Sequence, residues 1–478
     1  MESNENIDEV NIKDTIDKKI DISIFKGDKL FNENTPFLIN ILSPETYNNN
    51  QNSNNIDFIC VIDTSRSMYG NKITQVKESL KIIIDLMKAK DRIALITFNK
   101  NAEIIFNLLY LTEINKNTIK RKVDSIYTEP GTNILSGLTI AVDILKDLKK
   151  EKNEERISSV LLLSDGCDMV NTDIELVEKF KSLTKNQELT FTLHTFGYGI
   201  NHDAKLMQKL ASVRDGSFYF VEFSKKVSEY FACVLGGCFS AISKKTDLNV
   251  KLLNDNCKLI KVFGVEYLYE HELSDNFFKT TILQFIRGKE YSFVLEIKID
   301  EEKVKKDEDL LKVDFTYDNN DQKPITVTEI YKYKYKLESL DAIRVNKEYI
   351  RSQTYYIIDE AMKLKEKGEI KKAKEKITEM RDWLKKNYKP GYKKFLFDIL
   401  KSYDLFEDNH DKMELSYTLL RSEVMQNLHK KQGSNLMYIN DMQKNLVLSA
   451  SIENKNKSMD INKKNNNLMK SMVFKKGS

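Results

Sequence analysis

The stretch Phe58-Ile59-Cys60-Val61-Ile62-Asp63-Thr64-Ser65-Arg66-Ser67 decides how the rest of the chain is read. Five apolar residues in a row read as a strand buried on both faces, as in a parallel sheet covered by helices. Directly after them, Asp-x-Ser-x-Ser puts one carboxylate and two hydroxyls on a tight loop at the strand's C-terminal edge. These are hard oxygen donors, suited to Mg²⁺, Mn²⁺ or Ca²⁺ and not to zinc or copper. Two related pieces follow. Pro130-Gly131-Thr132-Asn133 opens a helix, and Ser164-Asp165-Gly166 closes the apolar run Val160-Leu161-Leu162-Leu163. In a doubly wound sheet, ligands bind where the strand order reverses, because the flanking helices diverge there. In the usual order that point lies between these two strands. Asp63 and Asp165 then meet across one crevice, with Thr132 arriving from the loop ahead of helix 134–152.

Around this core the pattern alternates strictly between strand and helix. A helix is expected over 71–90, with Ile73, Val76, Leu80, Ile83, Ile84 and Met87 at helical spacing. Strands 92–98 and 102–111 are joined by Asn99-Lys100-Asn101, a hairpin-like link that implies one antiparallel edge strand. Helices near 115–127 and 134–152, strand 159–163, helix 172–185, strand 189–195, helix 203–213, strand 217–221 and helix 226–242 complete the series. The fold class is therefore α/β, a doubly wound and mostly parallel sheet covered on both faces.

Outside that region the period changes. Residues 244–336 carry β-branched and aromatic runs at 248–252, 258–263, 280–285, 291–297, 311–317 and 325–330, read as an all-β, sandwich-like domain. Residues 21–55 contain two strand-like runs, Asp21–Phe25 and Pro36–Leu42, then an Asn-rich linker. They either join the later β segment, with the α/β domain of 56–243 inserted between, or form a separate arm. Residues 337–450 read as helical, beginning with an antiparallel pair that turns at Gly368, with further helices at 391–405, 409–430 and 434–447. The spacing is similar to one tetratricopeptide unit, yet no second copy follows and solenoids need repeats. Residues 1–20 and 451–478 are polar and expected to be disordered.

Composition narrows the function. The 76 basic and 72 acidic residues leave a net charge of only +4, which asks for neither nucleic acid nor a membrane surface. The longest apolar stretch, 230–242, is shorter than the roughly 20 residues a membrane span needs. Five cysteines form neither an even disulfide framework nor a zinc pattern, and Cys60 reads as a small filler inside the first core strand. The polar start Met1-Glu2-Ser3-Asn4-Glu5 is no secretory signal. A soluble, reducing, cytoplasmic setting is the expectation.

Each piece of the crevice has an ordinary reading by itself. Asp63 and Ser65 could cap the following helix, Asp165-Gly166 could be a turn and Thr132 a cap. In combination and in order they resemble the metal-ion-dependent adhesion site of a von Willebrand factor A domain. Arg92–Asn99, Phe196-Gly197-Tyr198-Gly199, His202-Asp203 and Gly216–Phe220 extend that resemblance over about 56–243. It implies that Ser65, Ser67 and sometimes Thr132 touch a divalent cation, most simply Mg²⁺, with Asp63 and Asp165 binding it directly or through water. It also implies an open coordination position for an Asp or Glu of a protein partner, hence an interaction protein and not an enzyme. Arg66 stands where the family commonly has glycine and adds a cation at the rim. The region downstream resembles that of intracellular A-domain proteins named for association with Hint modules. A Mg²⁺-dependent hydrolase acting on phosphoryl groups is the alternative, although the second Asp of aspartyl-phosphate enzymes is absent. His194 reads as a core histidine, His202 as a residue near the crevice, Cys167 as a loop filler and Trp383 as core. Oligomeric state stays open.

Overall fold

The computed structural model describes residues 20–44, 54–150, 156–185, 189–199, 202–221, 224–265, 268–318, 324–335 and 339–387, with isolated positions to 400. The terminal segments and the helices expected after 400 lie outside the described residues.

The chain opens with β1 (Asp21–Lys26) and β2 (Thr35–Leu42), then enters β3 (Asn55–Asp63). The α/β series continues with α1 (Asn71–Leu86), β4 (Arg92–Phe98), β5 (Ala102–Tyr110), α2 (Glu113–Asp124), α3 (Ile134–Lys150) and β6 (Arg156–Ser164). It ends with α4 (Asp173–Thr184), β7 (Phe191–Tyr198), α5 (Ala204–Ser212), β8 (Phe218–Val221) and α6 (Ser224–Phe239). Its sheet has the order β5-β4-β3-β6-β7-β8. All neighbours are parallel except β4 and β5, the antiparallel edge the Asn99–Asn101 link implies. The order reverses between β3 and β6, so the expected switch point is where Asp63 and Asp165 emerge.

The unbroken apolar run of β3 is explained by what covers it. Phe58, Cys60 and Ile62 enter one cluster with α1, α2 and α6, while Ile59 and Val61 enter another with α3, α4 and α5. Both faces are dry, so alternation would leave polar side chains buried at a cost of about 1–3 kcal/mol each. Cys60 is fully buried, and burial pushes its thiol up to about 12.

After α6 the strands are antiparallel: β9 (Ala241–Leu252), β10 (Cys257–Val262), β11 (His271–Leu273), β12 (Phe277–Ile286), β13 (Glu290–Ile299), β14 (Asp309–Tyr317) and β15 (Ile325–Lys332). They form two sheets, β1-β2-β13-β10 and β11-β12-β9-β14-β15. Pairing settles the place of residues 21–42: β2 lies beside β13, with Ile39 opposite Phe293. One apolar cluster draws from both sheets, including Ile39, Leu248, Phe293 and Phe315. The helix pair is α7 (Ser339–Glu366) and α8 (Ile370–Lys386), joined at Gly368. Trp383 packs against Phe31 with ring centroids 4.4 Å apart and lies partly buried at the edge of the helix pair's apolar cluster, where core was expected.

Several boundaries differ from the sequence reading, two of them for a visible reason. The helix expected over 226–242 ends at Phe239, because Ala241 already pairs with Ile286 as part of β9. Likewise β6 begins at Arg156 and not at 159. The Arg156 guanidinium is buried on Asp57 at 2.7 Å, which lets a charged residue start a core strand.

Candidate metal centre

Three loops at one sheet edge build the crevice. After β3 the chain is caught at Thr64, whose N–H and hydroxyl both donate to the Phe98 carbonyl at 2.8 and 2.9 Å. It then makes a short 3-10 turn, Arg66–Met68, anchored by the fully buried Met68. Asp63, at the strand end, is fully buried as well. Its Oδ1 accepts the Ser65 N–H at 2.8 Å and its Oδ2 accepts the Ser164 hydroxyl at 2.5 Å. The hydroxyls of Ser65 and Ser67 lie 2.9 Å apart.

The loop ahead of α3 is stitched to the first one. Glu129 N–H donates to the Thr64 carbonyl at 2.8 Å, and Asn133 N–H to that of Asn99 at 2.8 Å. Thr132 is buried, and its carbonyl receives the Met169 N–H from the third loop at 2.9 Å. Asp168 in that third loop accepts the Ile134 N–H at 2.7 Å, which caps α3 from outside the helix. Asp165 is buried, and its carbonyl accepts the Asp203 N–H at 3.0 Å. Gly166 N–H donates back to the Ser164 hydroxyl at 2.9 Å. The Asp63 carboxylate thus holds the Ser65 backbone, the Ser65 and Ser67 hydroxyls meet, and backbone bonds bring the loops of Thr132 and Asp165 against them.

The electrostatics are those of a carboxylate pair with little water. Burial raises the Asp63 carboxyl to about 6. Hydrogen bonds from Ser164 and Ser65 resist that rise, and the Asp165 charge adds to it. Two carboxylates and three hydroxyls, with no sulfur or imidazole, suit a hard divalent ion. Among the described residues no group of three or more His, Cys, Asp or Glu side chains is placed to hold a metal. The candidate donor set is a mixed one, in which Asp63, Ser65, Ser67, Thr132 and Asp165 would hold the ion.

Two side chains of the crevice carried no role in the sequence reading. Ser164 is the hydroxyl that orients Asp63. Lys72 places its ammonium 2.9 Å from Oδ2 of Asp165. Its signal was a lysine in the first turn of α1, where the helix dipole disfavours a cation.

The remaining candidates fall where the residues suggested. His194 accepts the Ser217 N–H on Nδ1 at 3.1 Å, with Nε2 beside the Thr192 hydroxyl at 3.1 Å. It is a satisfied core histidine, and burial lowers it to about 3. His202 donates from Nδ1 to the Gly199 carbonyl at 2.7 Å and stacks on Phe220 at 4.6 Å. Burial lowers its pKa, against the Gly199 hydrogen bond and the charges of Asp203 and Asp165, and its buried Nε2 has no hydrogen-bond partner among the described residues. Cys167 is exposed.

Comparison with known proteins agrees with the α/β fold. The von Willebrand factor type A domain family matches residues 57–232. Over 163 residues the chain is 29% identical to inter-alpha-trypsin inhibitor heavy chain H2 of Homo sapiens, which covers 34% of this chain and 17% of that one. The chain thus spans about a sixth of the length of that relative. Among solved structures, a von Willebrand factor type A protein from Catenulispora acidiphila aligns with a TM-score of 0.62 at 15% identity, over 80% of this chain and 89% of that one. The ArnB paralog VWA2 from Sulfolobus acidocaldarius aligns at 0.54 and 17%, over 87% and 100%. Residues 57–232 form a von Willebrand factor type A domain, a fold that commonly mediates protein–protein interaction.

Proposed function

We propose that this chain is a metal-dependent binding protein. In this reading Asp63, Ser65, Ser67, Thr132 and Asp165 hold Mg²⁺, with Mn²⁺ or Ca²⁺ as substitutes, and an Asp or Glu of a partner protein completes the coordination. The observation that carries it is the state of Asp63: buried, with each oxygen already engaged, beside a second buried carboxylate. A divalent ion relieves the repulsion of such a pair, and a hydroxyl-rich donor set leaves it electrophilic toward one more carboxylate.

The rim suits a protein partner. Tyr69, Tyr127, Met169 and Val170, on the three stitched loops, are 79%, 70%, 76% and 60% exposed. Large apolar side chains grouped around a polar crevice mark an interaction surface more often than a solvated one. Arg66, also exposed, adds positive charge that favours an acidic ligand. The hydrolase reading has less behind it, because aspartyl-phosphate enzymes place a second Asp two residues after the nucleophile and this chain has Ser65 there.

The downstream sheets and helix pair serve in this reading as a scaffold, like the Hint-associated arrangement of intracellular A-domain proteins. A cytoplasmic setting belongs to the proposal and rests on the five thiols. Among the described residues no helix is long and apolar enough to cross a membrane.

The test is capture in Mg²⁺ with wild type and Asp63→Ala side by side, preceded by a metal titration of both. A protein retained only by wild type and released by chelator supports the reading. Identical catches with no metal uptake would sink it, and metal-dependent hydrolysis of p-nitrophenyl phosphate lost in Asp63→Ala would favour the alternative.

A further inference from the structure

Lys72 is built into the crevice by more than one contact. Its ammonium meets Oδ2 of Asp165 at 2.9 Å, where the Asp165 side chain is 3% exposed and Lys72 28%. Its stem is seated too. Gly199, with φ +85°, leaves the space through which Lys72 passes, since a Cβ there would stand 2.6 Å from Lys72 Cε. A left-handed backbone and a missing side chain together form a track for this lysine.

Its starting point on α1 makes the placement informative. The helix begins after Gly70 with no side-chain cap hydrogen bond and no acidic residue in its first turn. A cation in that turn is opposed by the helix dipole by about 0.3–1 kcal/mol. The helix gains nothing from Lys72 electrostatically, so the gain lies across the crevice at Asp165.

We propose that Lys72 is a tethered cation that competes with the divalent ion for Asp165, so that the ion enters by displacing the ammonium. This rests on the reading that the crevice takes such an ion. The consequence is a site whose two carboxylates are partly neutralised in chelator and whose ion affinity is held down by a competitor at effectively fixed concentration. Two like charges a few ångströms apart at an effective dielectric of about 20 repel strongly enough to shift an affinity at least tenfold.

The experiment is isothermal titration of Mg²⁺, and separately Mn²⁺, into the full chain stripped by chelator. It compares wild type with Lys72→Met and Lys72→Gln. Gln keeps a hydrogen bond to Asp165 without the charge, which guards against a folding defect in Met. Both variants are expected to bind the ions at least tenfold more tightly than wild type, and their thermal midpoints in chelator are expected to fall. Equal or weaker ion affinity in folded Lys72→Gln overturns the competition. Absence of ion binding in all three proteins overturns the metal reading itself, and the competition with it.

Discussion

At Asp63, burial and the Asp165 charge favour the acid form, whereas the hydrogen bonds from Ser164 and Ser65 favour the carboxylate. Burial wins, and the group rises from 3.8 to about 6. A carboxyl raised in this way favours the fold when protonated; that contribution is full below about 3.8 and is lost as pH rises through about 6. At neutral pH in chelator the wild type therefore carries a strained carboxylate. A rise of roughly two units at about 1.4 kcal/mol each sets the scale. Asp63→Asn can still accept the Ser65 N–H, and its amide can donate to Ser164. It should be more stable than wild type by about 2 kcal/mol at pH 7 in chelator, with the advantage gone by about pH 4. Taking the difference between the two proteins removes the opposite contribution of buried His194, which lowers stability as pH falls. Urea unfolding at several pH values measures it, and a difference independent of pH would show that Asp63 is not strained. In Mg²⁺ the order should invert, since only the wild type gains from the ion.

Among the elements, what was legible followed the apolar pattern, and what was not followed polar side chains in buried places. β3 could be read because both faces are covered and nothing polar interrupts it. β9 was read only from 248, yet it starts at Ala241. Lys244-Lys245-Thr246-Asp247 broke the pattern there, although β12 and β14 between them pair with every residue of that stretch but Lys244. The crevice loops were readable at their five candidate positions because each follows a strand end or opens a helix. Lys72 and Ser164 were silent because their roles exist only once two strands more than ninety residues apart are adjacent. Glycines give a sharper test at this scale. A Cβ on Gly216 would press into the Leu193 carbonyl on β7, backbone against backbone, beside the Ser217 N–H that holds His194. Gly70 has φ +85° but nothing within 4 Å. Gly216→Ala should cost roughly 3 kcal/mol by overpacking, and Gly70→Ala about 1–2 kcal/mol by backbone strain. Equal losses in urea midpoint would mean that conformation and not space governs these turns.

Across the whole molecule, the α/β domain is bolted to the antiparallel sheets at the end opposite the crevice. Gln284 donates to the Ser158 carbonyl at 2.9 Å and the Ser159 hydroxyl at 3.0 Å, near the start of β6. Asp215 accepts the Leu283 N–H at 2.7 Å. The buried Arg214 donates to the Tyr269 hydroxyl at 2.9 Å, with its guanidinium over the rings of Phe191 and Tyr269. Asn54 donates to the carbonyls of Cys238 and Ala241, fixing the joint where α6 becomes β9. This arrangement keeps these contacts away from the crevice edge. It also makes α6, about 24 Å long at 1.5 Å per residue, the covalent link from that edge to the sheets. Buried polar bolts are costly to break singly, at roughly 3 kcal/mol when a charge loses its partner, so they should make the two parts unfold together. The single tryptophan offers a local reporter, since Trp383 packs on Phe31 beside β2 and far in sequence from the crevice domain. In wild type, tryptophan emission and far-ultraviolet dichroism should give one coincident urea transition. In Arg214→Met combined with Gln284→Ala, the dichroism should begin to fall at lower urea than the emission, as the α/β domain loses its anchor first. Coincident transitions in that variant would mean that apolar contact between α6 and β12, and not the polar bolts, carries the cooperativity of the chain.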